Sequence, residues 1–106
     1  MRLDVTFRHL SPREGIKERV EERASRLERF LEPSSSVALI FEATRGTVVA
    51  ELLVSTRGDL VKATAQGHEL RGLVDEVFHA IEHPLRRVKE RHAELARRGG
   101  RTATQF

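Results

Sequence analysis

The sequence predicts an α+β fold, a two-layer sandwich in which a four-stranded sheet carries two helices on one face. Three observations lead there. Apolar and polar residues alternate over residues 2–8 and in three short runs between residues 36 and 66, the period-two signature of strands. Two other stretches, 12–31 and 70–98, repeat apolar residues at three- and four-residue steps, as amphipathic helices do. The resulting order, β-α-β-β-β-α, gives both apolar stripes one economical place to go, the same sheet face.

The first strand, Arg2 to Arg8, places Leu3, Val5 and Phe7 on one side and Arg2, Asp4, Thr6 and Arg8 on the other. Ser11, Pro12 and Glu14 then supply an N-cap, a first-position proline and the last residue of a capping box, so the first helix is expected from Pro12. Gly15 weakens its first turn, but Ile16, Val20, Ala24, Leu27 and Leu31 keep one apolar stripe until Glu32, Pro33 and three serines stop it. Three strands follow, Val37–Ala43, Thr47–Ser55 and Leu60–Gln66, joined by short loops that carry Gly46 and Gly58 and so read as two hairpins. The first strand should run parallel to the second if they are neighbours, since a helix connects them.

The long second helix carries Leu70, Leu73, Val74, Val77, Phe78, Ile81, Leu85, Val88 and Leu95 along one side. Pro84 lies inside it, lacks the N–H that would bond Ala80, and predicts a kink or brief break near His83 with a basic segment projecting beyond the sheet. The expected core is Leu3, Val5, Phe7, Ile16, Val20, Leu27, Leu39, Phe41, Leu52, Val54, Leu73, Val77, Phe78 and Ile81. Ile40, Val49 and Leu53 would then point to the other sheet face, which implies either a facing error or a partner on that face.

With 106 residues the chain has room for one core, so residues 1–98 are expected to form a single domain and residues 99–106 a flexible tail. No cysteine is present, which removes disulfides and thiolate metal sites, and no stretch resembles a secretory leader or a membrane span. A cytoplasmic protein without membrane contact is the expectation. Without Trp or Tyr, base-stacking platforms are poorly supplied, and any nucleic-acid binding should work through backbone charge and shape.

Charge is segregated. Residues 84–106 hold seven Lys or Arg against two Glu, whereas residues 1–83 hold twelve basic and fourteen acidic residues, so the net +3 comes from the last part of the chain. A basic helix on a near-neutral domain fits docking on a polyanion; a solvated helix end, where cations are also favoured, fits equally well on segregation alone. On the first helix, Arg19, Arg23 and Arg26 project to one shoulder of the apolar stripe and Glu14, Glu18, Glu21 and Glu28 to the other, with Glu22 and Arg26 spaced as an i,i+4 pair.

One catalytic pattern occurs. His79, Glu82 and His83 spell H-x-x-E-H, the inverted zinc-protease motif. A proline follows directly, no third ligand or cleft is evident, and such enzymes need a longer chain, so these read as surface histidines. No G-x-S-x-G and no phosphate-cradling glycine loop is present. The expectation is a protein that is not an enzyme, with no cofactor, no metal and no small-molecule substrate.

Several pieces together carry a family likeness: the Arg8-His9 end of the first strand, Val20-Glu21-Glu22-Arg23 with Leu27-Glu28-Arg29, the turn from Gly67 to Asp75, and Leu85 followed by Arg87, Lys89 and Arg91. In order and spacing over about the first 95 residues, the chain resembles the ribosome hibernation-promoting factor and ribosome-associated inhibitor family, also called sigma modulation proteins, in its short form. The resemblance implies a fold like a double-stranded-RNA-binding domain with an added strand. It also implies binding to the small ribosomal subunit under stress, in the channel of messenger and transfer RNA, through 16S ribosomal RNA. Carried over by position, the RNA-facing residues are Arg23, Arg26, Arg87, Lys89 and Arg91; charge geometry adds Arg19, Arg86 and Arg98. The chain departs from the family pattern at Phe7, Arg71, Ala80 and Pro84. The two helices are expected to join their cations in a single ridge. The alternative is a small protein-interaction module that uses the apolar sheet face, for a protein partner or weak self-association.

Overall fold

A computed structural model of the chain describes residues 1–104, with side chains described through Arg98. The first strand, Arg2–Arg8 (β1), leads through a turn to a helix, Ile16–Arg26 (α1), and a single 3₁₀ turn, Glu28–Phe30. Three strands follow, Ser36–Thr44 (β2), Thr47–Thr56 (β3) and Asp59–Gly67 (β4), and then a long helix, Leu70–Thr104 (α2). The sheet order is β1-β2-β3-β4, with β1 parallel to β2 and the other pairs antiparallel. This is the predicted β-α-β-β-β-α architecture.

Two-residue loops set the hairpin registers. Arg45-Gly46 joins the paired Thr44 and Thr47, and Arg57-Gly58 joins the paired Thr56 and Asp59, with positive φ at all four loop residues. Type I′ turns need that conformation at both central positions, and their twist matches that of the strands they connect. Gly15 also has a positive φ, of 83°, and this corrects the expected start of α1. A left-handed residue cannot continue a right-handed helix, so Glu14 and Gly15 form a turn, closed by the Ile16 N–H on the Arg13 carbonyl at 3.3 Å, and the helix begins at Ile16. The Ser11 capping box is not used. At the other end α1 stops at Arg26, and the 3₁₀ turn carries the chain on to bury Phe30.

Eleven of the fourteen expected core residues are buried. The exceptions, Leu3, Val5 and Phe7, are half-buried, because β1 is an edge strand and α1 packs more against α2 than over it. Phe7 still stacks on Phe41 of the neighbouring strand, with ring centroids 5.3 Å apart. Ile40, Val49 and Leu53 lie half-exposed on the sheet face opposite the helices, so the predicted facing was right and that face is open.

α2 runs unbroken through Pro84, against the expectation of a possible break. The proline removes one backbone hydrogen bond, but Ile81, Leu85 and Val88 on either side are buried against the sheet and hold the axis in place. Beyond Val88 no described residue of α2 is buried, and the helix projects past the sheet as expected. The tail expected at 99–106 falls on residues whose side chains lie outside those the structure describes.

Candidate nucleic-acid interface

α1 and α2 lie side by side and run in the same direction: Arg19 meets Asp75, Arg23 approaches Phe78, and the 3₁₀ turn meets Arg86 and Lys89. The stripes Ile16, Val20, Ala24, Leu27 on α1 and Val74, Phe78, Ile81, Leu85 on α2 are buried beneath the line of contact. Polar residues on the facing shoulders therefore line a seam along the outside of the helical layer.

At the head of this seam, Arg19 donates to both oxygens of Asp75, Nε at 3.1 Å and Nη2 at 2.6 Å, and Arg23 approaches the same carboxylate at 3.5 Å. The fork-to-fork geometry with Arg19 holds the Asp75 carboxyl below its ordinary pKa, and the charges of Arg19, Arg23 and Arg26 add to the effect. Arg19 is correspondingly raised by the same bond. Arg23 also lies over the Phe78 ring, 6.0 Å from its centroid, and its side chain is only 16% exposed. Two cations share one anion here, and the more buried of them is also packed.

Further along, Arg26 turns back to Glu22 at 2.7 Å. The foot of the seam is different. Arg29 and Arg86 both lie over the ring of Phe30, at 4.6 and 5.6 Å from its centroid, and neither pairs with a carboxylate among the described residues. Lys89 Nζ donates to the Arg29 carbonyl at 2.6 Å, and Arg57 Nη1 donates to the Phe30 carbonyl at 3.1 Å.

The far flank of α2 faces β4. Arg87 and Arg91 border an open groove of about 470 Å³ with Pro84, Val88 and residues Asp59, Leu60, Val61 and Lys62. Asp59 accepts from Arg91 and bonds the ring of His92, both at 2.9 Å, and the His92 bond is the main reason its pKa is lowered. Lys62 pairs with Glu51 at 3.0 Å, while Arg87 has no ion pair among the described residues. Arg98 pairs with Glu94 one turn earlier at 2.6 Å.

Residues 3–93 match the sequence model of the family described as sigma 54 modulation protein / S30EA ribosomal protein. The chain belongs to this family. Among relatives, it is 21% identical to a ribosome hibernation promoting factor of Salmonella typhimurium, over 86% of this chain and 96% of that protein. Its fold is similar to the N-terminal domain of Protein Y from Thermus thermophilus, with a TM-score of 0.73, 21% identity, and coverage of 83% of this chain and 99% of that one. A ribosomal subunit interface protein from Coxiella burnetii gives a TM-score of 0.72 at 20% identity, over 85% of this chain and 99% of that one.

The basic residues singled out in the sequence, from the family likeness and from charge geometry, do not form one ridge on this fold. Arg19, Arg23, Arg26, Arg86 and Lys89 follow the seam, whereas Arg87 and Arg91 stand on the other flank of α2, and Asp75 of α2 takes up Arg19 and Arg23 of α1. Helical geometry separates Arg86 from Arg87 by about 100° around the axis. Arg29 and Phe30 were missed in the sequence because a ring at Phe30 reads as packing and Arg29 lies inside the expected helix as one more surface cation; the Arg-aromatic dipeptide facing a second Arg on α2 is visible only in three dimensions. His79 and His83 are exposed, and no group of three metal-ligating side chains occurs among the described residues.

Proposed function

We propose that this chain binds the small ribosomal subunit and silences translation by occupying the messenger and transfer RNA channel through contacts to 16S ribosomal RNA. The family match supports ribosome association. The finer reading is carried by one observation: cations that lack a carboxylate partner among the described residues gather on the outer surface of α2 and its junction with the 3₁₀ turn, with Arg86 and Arg87 central. Phosphate groups would supply the missing counter-charge, and affinity would then fall steeply with salt. The mechanism is steric, with the helical layer held by phosphate contacts and no bond made or broken.

The names of the relatives, hibernation promoting factor and subunit interface protein, point the same way. Arg19 and Arg23 contribute less in this reading, since Asp75 already satisfies them. Lys89, Arg91 and Arg98 hold internal bonds and would add long-range attraction more than direct forks.

Sedimentation with purified bacterial small subunits tests the proposal. Wild-type protein should co-migrate at low salt and be released as salt rises. Arg86→Glu with Arg87→Glu should keep the thermal unfolding midpoint within a few degrees yet weaken binding at least tenfold. Co-migration that ignores salt, or a folded double variant that binds as wild type does, rejects the reading.

A further inference from the structure

The foot of the seam holds a construction that the charge pattern of α2 does not explain. Arg86 has Glu82 one turn before it, the spacing at which Arg26 takes Glu22 and Arg98 takes Glu94. It makes no ion pair with Glu82 and lies over Phe30 instead. Arg29, beside Glu28 in sequence, does the same from the 3₁₀ turn. Two guanidinium groups from separate elements thus share one ring.

The ring is itself fixed. Phe30 is 6% exposed, its N–H bonds the Leu27 carbonyl at 2.9 Å, and its own carbonyl accepts from Arg57 at 3.1 Å. Lys89 reaches over from α2 to the Arg29 carbonyl, so the turn is tied to α2 and to the β3–β4 hairpin. Glu32, two residues beyond Phe30, accepts from the backbone N–H of Arg57 at 2.9 Å.

We infer that Phe30 is a positioning residue that holds Arg29 and Arg86 as a pair of open guanidinium forks, making the foot of the seam a phosphodiester-binding site. The inference rests on the ribosomal reading above and deepens it by naming where the RNA backbone is gripped. A guanidinium stacked on an aromatic face keeps its in-plane N–H donors free, and losing rotamer freedom before binding lowers the cost of gripping a ligand. The ligand class follows from the geometry. Phe30 is buried and flanked by cations, so no base can stack on it, whereas two planar forks match the oxygens of phosphate groups. The Lys89 ammonium beside them adds charge of the same sign.

The test measures binding to purified bacterial small subunits as a function of salt. Phe30→Leu keeps an apolar side chain but removes the ring, and Phe30→Trp keeps a ring. With the fold intact by circular dichroism, Phe30→Leu should flatten the slope of log affinity against log salt by about 1 to 2, the worth of one or two phosphate contacts. Phe30→Trp should restore most of it. Arg29→Ala and Arg86→Ala, both at exposed positions, should each flatten the slope by about 1, and adding either to Phe30→Leu should cost less than it does alone. If Phe30→Leu unfolds the protein, the two arginine variants decide the matter. Wild-type slopes in Arg29→Ala and Arg86→Ala, with Arg87→Glu still weakening binding, overturn this site and leave the ribosomal reading standing. Absence of salt-dependent binding by the wild type overturns both.

Discussion

Arg19 and Arg23 at the head of the seam give their donors to Asp75, while at its foot Arg29 and Arg86 lie against Phe30 and pair with no carboxylate among the described residues. Both places bring arginines of α1 or its 3₁₀ extension against α2, and both put a guanidinium near a phenylalanine. The difference lies in what α2 offers opposite: an acid at position 75, and two further cations, Arg86 and Lys89, about three turns later. A cation that finds an anion across a helix interface acts as a clamp between helices. A cation that finds another cation and a ring stays available to something from outside. The count of basic residues on a helix shoulder does not distinguish the two cases; the facing residue does.

The largest effect that bears on this contrast should come from the core beneath it. Leu85 is fully buried and holds α2 next to Arg86, while Val74 does the same beside Asp75. Leu85→Ala should cost about 2–5 kcal/mol, the range for emptying a leucine site in a packed interior, and Val74→Ala less because fewer methyl groups are lost. Urea unfolding monitored by circular dichroism gives both numbers. If the foot depends on its own support, Leu85→Ala should also flatten the salt dependence of subunit binding under conditions where the protein remains folded. A Leu85→Ala variant that loses under 1 kcal/mol would mean that α2 is not anchored there.

Pro84 stands between head and foot, and its effect should be smaller and of opposite sign. Replacing it with alanine restores a donor for the Ala80 carbonyl, and proline is about 3 kcal/mol less favourable than alanine inside a helix. Part of that gain is offset, since proline also restricts the unfolded chain by about 0.4–1 kcal/mol. Pro84→Ala should therefore raise stability by about 2 kcal/mol, seen as a higher urea midpoint with an unchanged slope. Loss of stability would show that the proline ring at position 84 is needed to place Leu85 and Arg86.

The same residues show how far the sequence could be read. Alternation in β1–β4 and the two apolar stripes led directly to the element order, because burial of one face dominates and leaves a clear period; the parallel β1–β2 pair followed from the connecting helix once the two strands proved to be neighbours. The start of α1 was misread because Ser11, Pro12 and Glu14 satisfy a local capping rule, while the left-handed backbone of Gly15 overrides it. Pro84 was given too much weight for a related reason: its local penalty is smaller than the burial of Ile81, Leu85 and Val88 around it. Of the site, the shoulder of Arg19, Arg23 and Arg26 was legible from a helical projection. Which of these are neutralised was not, since Asp75 is more than fifty residues away in the chain. Phe30 was hidden by its own chemistry, as a buried ring reads as core whether or not cations lie on it.

The smallest effects test the head of the seam. Arg19 and Asp75 have side chains 40% and 38% exposed, so solvent screens their pair, and Asp75→Asn should cost no more than about 1 kcal/mol at neutral pH. Because the carboxyl pKa is lowered in the folded protein, the stability it lends is fully present above the ordinary carboxylate value near pH 4 and is lost as pH falls through the lowered native value. The gap between wild type and Asp75→Asn should accordingly close in acid, while the contribution of Asp59, lowered by His92 and Arg91, disappears from both proteins alike. The same variant frees Arg19 and Arg23 from their shared anion. It should make subunit binding steeper in salt by up to about 2, turning the head of the seam into something like the foot. An unchanged slope in Asp75→Asn would mean that position along the helices, rather than the presence of an internal anion, decides which arginines reach a phosphate.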